Sequence, residues 1–330
     1  MTTLTPTISA ALQTAVLPVL KQFGVSNASI SIEGGPAFIV KTDPAPAAST
    51  VVNTQLIFDP SVTGRVVSNI VLTSPDGNGV GGIVRGQAVQ IINVNFQKIY
   101  DGLQYGSSDG KNGCVNLTIN GGGQIGNEVQ GRCHFLIDID GLTWTGDSTK
   151  CFGPASKQSP IRFSSPGVRN ATITGVHVTQ VGSPFPIACW AIHAANNVHW
   201  LNCTADGGEF SFDSAGEGVG DRVSNCVVEN LTINNSKLNI GAVTFGCTFK
   251  GGKFTNPTGE AISVQCVAGS KNVIDGASIY SSSGHAIHFY AASDLVMKNC
   301  TFYRTNHSAV LMDGAVSPQN DGGGNKIVDV

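Results

Sequence analysis

The chain has 330 residues, of which only 12% are charged, whereas an average soluble domain has about 25%. The net charge of -3 lacks the basic excess of a nucleic-acid-binding protein, and no run of about 18 apolar residues marks a membrane span. We therefore expect no nucleic-acid partner and no membrane insertion.

The first predicted element is an amphipathic helix near the N-terminus. Apolar residues recur there at spacings of three or four, and Gly24 fits a helix C-cap. These residues are Ile8, Leu12, Val16, Leu20 and Phe23. A helix ahead of a sheet structure covers strands whose edges would otherwise be open to pairing. We predict that residues 1–50 form a capping helix and a lead-in segment.

Short β-branched runs, punctuated by Asn, Gly, Ser and Asp, follow residue 24. Their apolar residues alternate with polar ones. In "EAISV", Ile262 and Val264 share one face and Ser263 takes the other. Helical patterning is almost absent, which argues against an alternating strand–helix fold.

Short phrases repeat along the chain. Asn-Cys-like phrases place Cys203, Cys226 and Cys247 at steps of 23 and 21 residues, and Cys300 follows later. Ala-Ile-like phrases place Ile262, Ile287 and Val310 at steps of 25 and 23 residues. A β-sandwich needs no such repeat, whereas a chain that coils into three parallel sheets does, because equivalent inward residues stack from coil to coil. We predict an all-β parallel solenoid over residues 51–330, with about nine or ten coils.

The nine cysteines are odd in number and contain no C-x2-C pair. We interpret them as small buried side chains at equivalent points of the coils, rather than as disulfides or metal ligands. The histidines form neither H-x3-H nor H-E-x2-H. We predict no metal site and no cofactor.

The repeated "NCT" and "AI" phrases resemble the right-handed parallel β-helix superfamily, the pectate-lyase-like fold, over roughly residues 50–330. The resemblance implies a right-handed helix of three sheets that acts on or binds a polysaccharide. No catalytic signature of a particular family accompanies it.

The N-terminus has no positive stretch before its apolar part and does not read as a secretory signal peptide. Together with the predicted capping helix and the low charge, this resembles bacteriophage tailspike and polysaccharide depolymerase proteins, which are commonly trimers. The C-terminal "GGGNKIVDV" looks like the start of a further coil, continued by the chain or covered by a partner subunit. We expect an extracellular or virion-borne homo-oligomer.

Outward residues at the same point of successive coils form a column. Aligning "SPIRF", "CWAIHA" and "EFSFD" places Arg162, His193 and Asp213 in one column, although this register could slip. Gly241, Ser263 and His288 continue it. A lyase on uronic acids needs a cation and a base, for which Arg162 and His193 are suitable types.

A glycoside hydrolase instead needs two carboxyl groups. Asp138 and Asp140 are two apart on one predicted strand, hence ~6.7 Å apart on one face, within the ~6.5 to 9.5 Å of inverting enzymes. A second acidic cluster comprises Asp206, Glu209, Asp213 and Glu217. The alternative is that both clusters are solvated turn residues.

All three tryptophans, Trp144, Trp190 and Trp200, fall close to these carboxylates in the sequence. They are candidate substrate-binding platforms, and the alternative is that they fill the core. We predict a groove over residues 134–217 of a hydrolase or lyase. The competing hypothesis is a non-catalytic binding or structural β-helix, such as an adhesin, with flat outer faces rich in Ser and Thr.

Overall fold

The computed structural model describes most of the chain in fifteen stretches. These are residues 27–31, 37–41, 50–52, 55–73, 79–97, 99–109, 111–124, 131–152, 158–181, 188–212, 222–256, 259–281, 285–304, 312–314 and 316–330. The predicted helix over residues 8–23 lies outside them. The chain divides into two compact units, Met1–Thr50 and Val51–Val330.

The described residues form 33 strands and one short 3-10 helix, Pro318–Asn320. The first eleven strands are β1 Asn27–Ser31, β2 Ala37–Lys41, β3 Thr50–Val52, β4 Leu56–Ile57, β5 Val66–Thr73, β6 Val80–Val84, β7 Gly86–Gln87, β8 Gln90–Gln97, β9 Asp101–Tyr105, β10 Cys114–Gln124 and β11 His134–Thr145. The next eleven are β12 Ser148–Phe152, β13 Ile161–Thr174, β14 His177–Val181, β15 Ala188–Ile192, β16 Ala195–Leu201, β17 Thr204–Asp206, β18 Glu209–Phe212, β19 Val223–Ser224, β20 Val227–Glu229, β21 Thr232–Asn234 and β22 Leu238–Ile240. The last eleven are β23 Thr244–Phe245, β24 Thr248–Lys250, β25 Lys253–Asn256, β26 Ile262–Val264, β27 Val273–Asp275, β28 Ser278–Ser281, β29 Ile287–Phe289, β30 Val296–Lys298, β31 Thr301–Arg304, β32 Met312–Gly314 and β33 Lys326–Asp329.

In the first unit, β1 and β2 pair antiparallel, from Asn27 opposite Lys41 to Ser31 opposite Ala37. This antiparallel pair was not predicted from the sequence.

The second unit is a parallel β-helix of about nine turns, as the repeat spacing predicted. Its strands stack into three sheets. Sheet A contains β4, β6, β9, the start of β11 and of β13, β15, β18, β22, β26, β29 and β32. Sheet B begins with the first parts of β5 and β8 and continues through the later parts of β10, β11, β13 and β16. It ends with the whole of β20, β24, β27 and β30. Sheet C runs from the end of β5, β8 and β10 through β12, β14, β17, β21, β25, β28 and β31 to β33.

Period-two alternation determines which side chains enter the core. Ile262 and Val264 are fully buried in it and stack in register on Ile287 and Phe289 of the next coil. The predicted step of 25 residues is therefore confirmed here. The prediction of the next step, 23 residues from Ile287 to Val310, is wrong, because Ile287 pairs with Met312.

Residues with positive φ turn the chain between sheets at two corners. The A–B corner is the turn from sheet A to sheet B, and its positive-φ residues are Gly64, Ala88, Asn116, Gly141, Asn170, Asn197, Asn225, Gly246 and Lys271. The B–C corner has Asn69, Asn93, Gly121, Gly146, Gly175, Asn202, Asn230, Gly251, Gly276, Asn299 and Gly324. Asn and Gly predominate because they adopt this conformation at the lowest steric cost. The Asn amides also bond from coil to coil, as in Asn197 Nδ2 to Asn170 Oδ1 at 2.8 Å.

The four cysteines of the repeated phrases, Cys203, Cys226, Cys247 and Cys300, are buried and not paired in disulfides, as predicted for core residues. Their assignment to one repeat was wrong, however. Cys226 and Cys247 stack at the A–B corner, whereas Cys203 follows Asn202 at the B–C corner, and Leu231 takes its place in the next coil. The 23-residue step from Cys203 to Cys226 therefore joins two different corners, and it is not the length of a coil.

Candidate active site

A polar cleft of about 270 Å³ opens at the A–B corner of the coils formed by β10, β11 and β13. Its charged and amide side chains are Gln87, Lys111, Asn112, Asp138, Asp140 and Arg169. Two of the predicted catalytic residues, Asp138 and Asp140, thus lie together in a cavity that solvent can enter.

Alternation along β11 places both carboxylates outside the helix, since Ile139 between them is fully buried in the core. Both converge on one guanidinium. Arg169 Nη2 lies 3.0 Å from Asp138 Oδ1, and Arg169 Nε lies 3.9 Å from Asp140 Oδ2. The Asp138 side chain is 10% exposed, whereas that of Asp140 is 47% exposed. The two acids therefore share a cation but differ in their access to water.

Glycines in the neighbouring coils leave room for Asp138. A Cβ atom on Gly113 would lie 2.7 Å from Asp138 Oδ2, closer than any side chain tolerates. On the other side, Asp138 pairs in register with Gly167. The local sequence thus keeps a space around this carboxylate, although a shift of register between Leu136 and Asp138 interrupts the ladder there.

Asp140 is also fixed by the corner. Asn170 Nδ2 donates to Asp140 Oδ1 at 2.8 Å, so Asp140 extends the row of asparagine amides at the A–B corner. An oriented pair of carboxyl groups beside a cation can hold a polar ligand and exchange protons with it.

The predicted column of Arg162, His193 and Asp213 is wrong in its register. In sheet A, Arg162 pairs with Ala191, which pairs with Ser211, and the column continues through Asn239, Ser263 and His288. His193 and the predicted Gly241 lie two residues beyond their places in this column, past the ends of β15 and β22. Two residues is one full strand period, so the polar alternation could not reveal the slip.

Arg162 and His193 are therefore not adjacent members of one column. Arg162 Nε lies 3.2 Å from Ser164 Oγ, and its guanidinium lies 6.0 Å from the ring centre of Phe135. His193 is 4% exposed, and its backbone N–H donates to the carbonyl of Phe163. Neither residue lines the cleft of Asp138 and Asp140.

The second acidic cluster is only partly described, because Asp213 and Glu217 lie outside the described residues. Asp206 Oδ1 accepts a hydrogen bond from Asn235, and Glu209 lies 3.7 Å from the ammonium of Lys237. These two carboxylates are engaged in contacts between coils.

The substrate-binding role predicted for the tryptophans is wrong. Trp144, Trp190 and Trp200 are completely buried: Trp144 packs on Trp190, and both Trp190 and Trp200 pack on core phenylalanines. Each occupies an inward position of its strand, so none forms the floor of an outer groove. The alternative reading, that they fill the core, is correct.

Arg169 and Lys111 are site residues that were not predicted from the sequence. Arg169 could have been found by aligning "DGLTWTG" from Asp140 with "RNATITG", because both phrases end in Thr-x-Thr-Gly. That alignment places Arg169 beside Asp140, which is the register observed. Lys111 precedes β10 in an irregular segment, where no repeat indicates its position.

The described residues contain no group of three or more His, Cys, Asp or Glu side chains that could hold a metal ion. Within the same residues, no helix has the length and apolarity that crossing a membrane requires.

Residues 191–329 match the family model described as the right-handed β-helix region. The match covers less than half of the chain, and together with the parallel sheets described above it confirms the predicted fold, a right-handed parallel β-helix. A comparison with curated proteins finds no significant match.

Two solved structures are similar at low identity. One is the catalytic domain of a GH87 α-1,3-glucanase in complex with tetrasaccharides, with 13% identity and a TM-score of 0.43 over 84% of this chain and 58% of that one. The other is the GH136 lacto-N-biosidase of Eubacterium ramulus, with 11% identity and a TM-score of 0.39 over 80% of this chain and 50% of that one. The chain thus spans between half and three fifths of the length of these enzymes, and scores this low carry no argument about its activity.

Proposed function

We propose that the protein cleaves a polysaccharide at the cleft of Asp138 and Asp140, as a glycoside hydrolase. The observation that supports this most is the convergence of two outward carboxylates on Arg169 in an open polar cleft. Hydrolysis of a glycosidic bond needs one carboxyl group as acid and another as base.

The two environments suggest a division of roles. Asp138 is more enclosed and is held by Arg169 at 3.0 Å, which suits a fixed carboxylate that takes a proton from water. That water attacks the anomeric carbon. Asp140 is more exposed and, in its protonated form, gives its proton to the departing glycosidic oxygen. Water therefore adds across the bond: its hydroxyl joins the anomeric carbon, and the departing sugar leaves with the proton from Asp140.

Purified protein should be incubated with a panel of bacterial capsule, lipopolysaccharide and plant polysaccharides, and the products analysed by mass spectrometry. The proposal predicts fragments that have gained one water per bond cleaved. Fragments with a 4,5-unsaturated end would instead identify a lyase, and an unchanged panel would count against cleavage altogether.

Arg169 itself favours a second candidate function, the binding of a glycan without cleavage. A guanidinium that contacts both carboxylates also stabilises a static ion-paired cluster. In that case Asp138→Asn would weaken glycan retention in an affinity gel, while wild-type protein would release no fragments.

On the sequence alone, we also propose a tailspike-like homotrimer that is extracellular or virion-borne. Light scattering of native protein at micromolar concentration tests the assembly. A trimer mass is expected, and a monomer near the chain mass of 34.1 kDa would contradict it.

A further inference from the structure

A second and larger cavity, of about 480 Å³, lies further along the A–B corner. Its polar and aromatic side chains are Asn196, Arg222, Ser224, Asn225, Phe245, Ser270 and Lys271. Two of these side chains are cations and none is a carboxylate, so the lining differs in charge from that of the first cleft.

Arg222 is the more informative cation. Its guanidinium lies 4.3 Å from the ring centre of Phe245 and is exposed to solvent. Among the residues that the structure describes, no carboxylate pairs with Arg222. Packing on an aromatic face holds a guanidinium in place while leaving its N–H donors available to an anion.

Lys271 stands at an unusual position. It has a φ of 54° at the corner where the other positive-φ residues are Gly, Asn or, once, Ala. A lysine gains nothing locally from this conformation, which costs an ordinary side chain free energy. Lys271 thus lines the cavity at a position where the fold itself favours a neutral residue.

The segment that carries Lys271 is fixed from the next coil. Asp294 accepts hydrogen bonds from the backbone N–H groups of Gly269 and Lys271, both at 3.0 Å, and from Ser270 Oγ at 2.7 Å. The Asp294 carboxylate is therefore already engaged by the segment, and it holds Lys271 in place as a positioning residue.

The cavity and the first cleft lie on one line. Arg169 pairs with Asn196, Asn196 with Ser224 and Ser224 with Phe245 in successive coils. Three steps between parallel strands amount to ~14 Å. An oligosaccharide of about three sugar units that runs along the helix axis can reach both places, taking ~5 Å per unit as one strand spacing.

We propose that the Arg222–Lys271 cavity binds a negatively charged substituent of the glycan, a carboxylate or a sulfate, so that the substrate is an acidic polysaccharide. The inference rests on the proposed glycan function, and it names the class of sugar. A guanidinium and an ammonium recognise such groups by charge-assisted hydrogen bonds.

The test is binding, measured by calorimetry on the full chain with three probes of equal length: a uronate oligosaccharide, a sulfated dextran oligosaccharide and neutral dextran. Wild-type protein should prefer one charged probe over the neutral one, and the two charged probes distinguish carboxylate from sulfate. Arg222→Gln should weaken the binding of the preferred probe about tenfold, the usual effect of losing one anchor residue.

Lys271→Asn is the second variant, because Asn is the residue that this corner normally accepts. It should fold normally, weaken binding of the charged probe and reduce the salt dependence of binding. Arg65→Gln is the matched control, since Arg65 also lies over a phenylalanine, Phe58, at 5.8 Å but outside the cavity. It should bind like wild type.

The inference would be overturned if wild-type protein bound the neutral and charged probes equally, or if it bound none of the probes. It would also be overturned if both variants bound the charged probe as tightly as wild type does. The proposed function fails on a different result, namely unchanged turnover in Asp138→Asn. The two failures are therefore distinguishable.

Discussion

At the scale of single residues, burial decides which side chains can react. The cysteine thiols point into the helix, and burial raises the pKa of Cys114 to about 12 and that of Cys203 to about 11. Hydrogen bonds to the thiolates partly offset this effect but do not reverse it. The thiolate is the reactive form, and little of it exists near neutral pH.

We predict that Cys114 and Cys203 of the folded protein resist a thiol reagent at pH 8 and react fully in denaturant. Peptide mapping after labelling identifies each site. Rapid modification of Cys114 or Cys203 in the native state would show that these coils are open.

A buried polar network crosses the core beside the tryptophans. Tyr105 Oη lies 3.0 Å from His134 Nδ1, and His134 Nε2 lies 3.2 Å from Asp147 Oδ2. Thr149 donates to the other oxygen of Asp147. Burial raises the pKa of Tyr105, and the negative charge of Asp147 raises it further.

Asp147→Ala should destabilise the protein by about 3 to 5 kcal/mol, because it leaves His134 and Thr149 buried without their partner. Urea unfolding followed by circular dichroism measures this loss. Glu229→Ala, which removes a half-exposed partner of His199 on sheet B, is the control and should cost at most about 1 kcal/mol. Equal midpoints for the two variants would mean that the network contributes little.

At the scale of elements, alternation and repeat length were sufficient to predict the strands and their coiling into parallel sheets. They could not fix register. A slip of two residues preserves which side chains face outward, so His193 was placed beside Arg162 although Ala191 occupies that position. The tryptophans show the same limit, because an aromatic residue suits the core of a wide coil as well as a groove.

The corners between sheets have stabilising contacts of their own, and the hydrogen bonds that Asp294 accepts at the A–B corner are an example that can be tested. Slight burial works to raise its pKa, but hydrogen bonds from Ser270 and from the N–H groups of Lys271 and Gly269 outweigh it and hold the pKa below the usual value. A lowered folded-state pKa stabilises the fold above the unfolded pKa of about 3.9, and this stabilisation is lost as pH falls through the folded pKa.

Asp294→Asn should therefore destabilise the protein by about 1 kcal/mol at pH 7, a value kept low because the group is largely solvated. The difference from wild type should shrink as the pH falls below about 4. Melting temperatures of both proteins between pH 3 and pH 7 test this. A difference that stays constant with pH would mean that the charge of Asp294 does not matter.

At the scale of the whole molecule, the β-helix repeats one cross-section from coil to coil while its outward-facing residues vary. The sequence predicted the β-helix and one pair of outward-facing acids, Asp138 and Asp140. It did not predict their cation, because Arg169 is distant along the chain and adjacent only through the coil register. Chemistry on this fold depends on such contacts between coils.

The central claim is that Asp138 and Asp140 cleave a glycan, and its most direct test is the rate of bond cleavage on the responsive polysaccharide. We predict that Asp138→Asn and Asp140→Asn each reduce turnover by ~10²- to 10⁴-fold, the usual contribution of a general acid or base. The control Glu229→Gln should retain activity, and circular dichroism should show all three variants folded. Full activity in either aspartate variant would contradict the account.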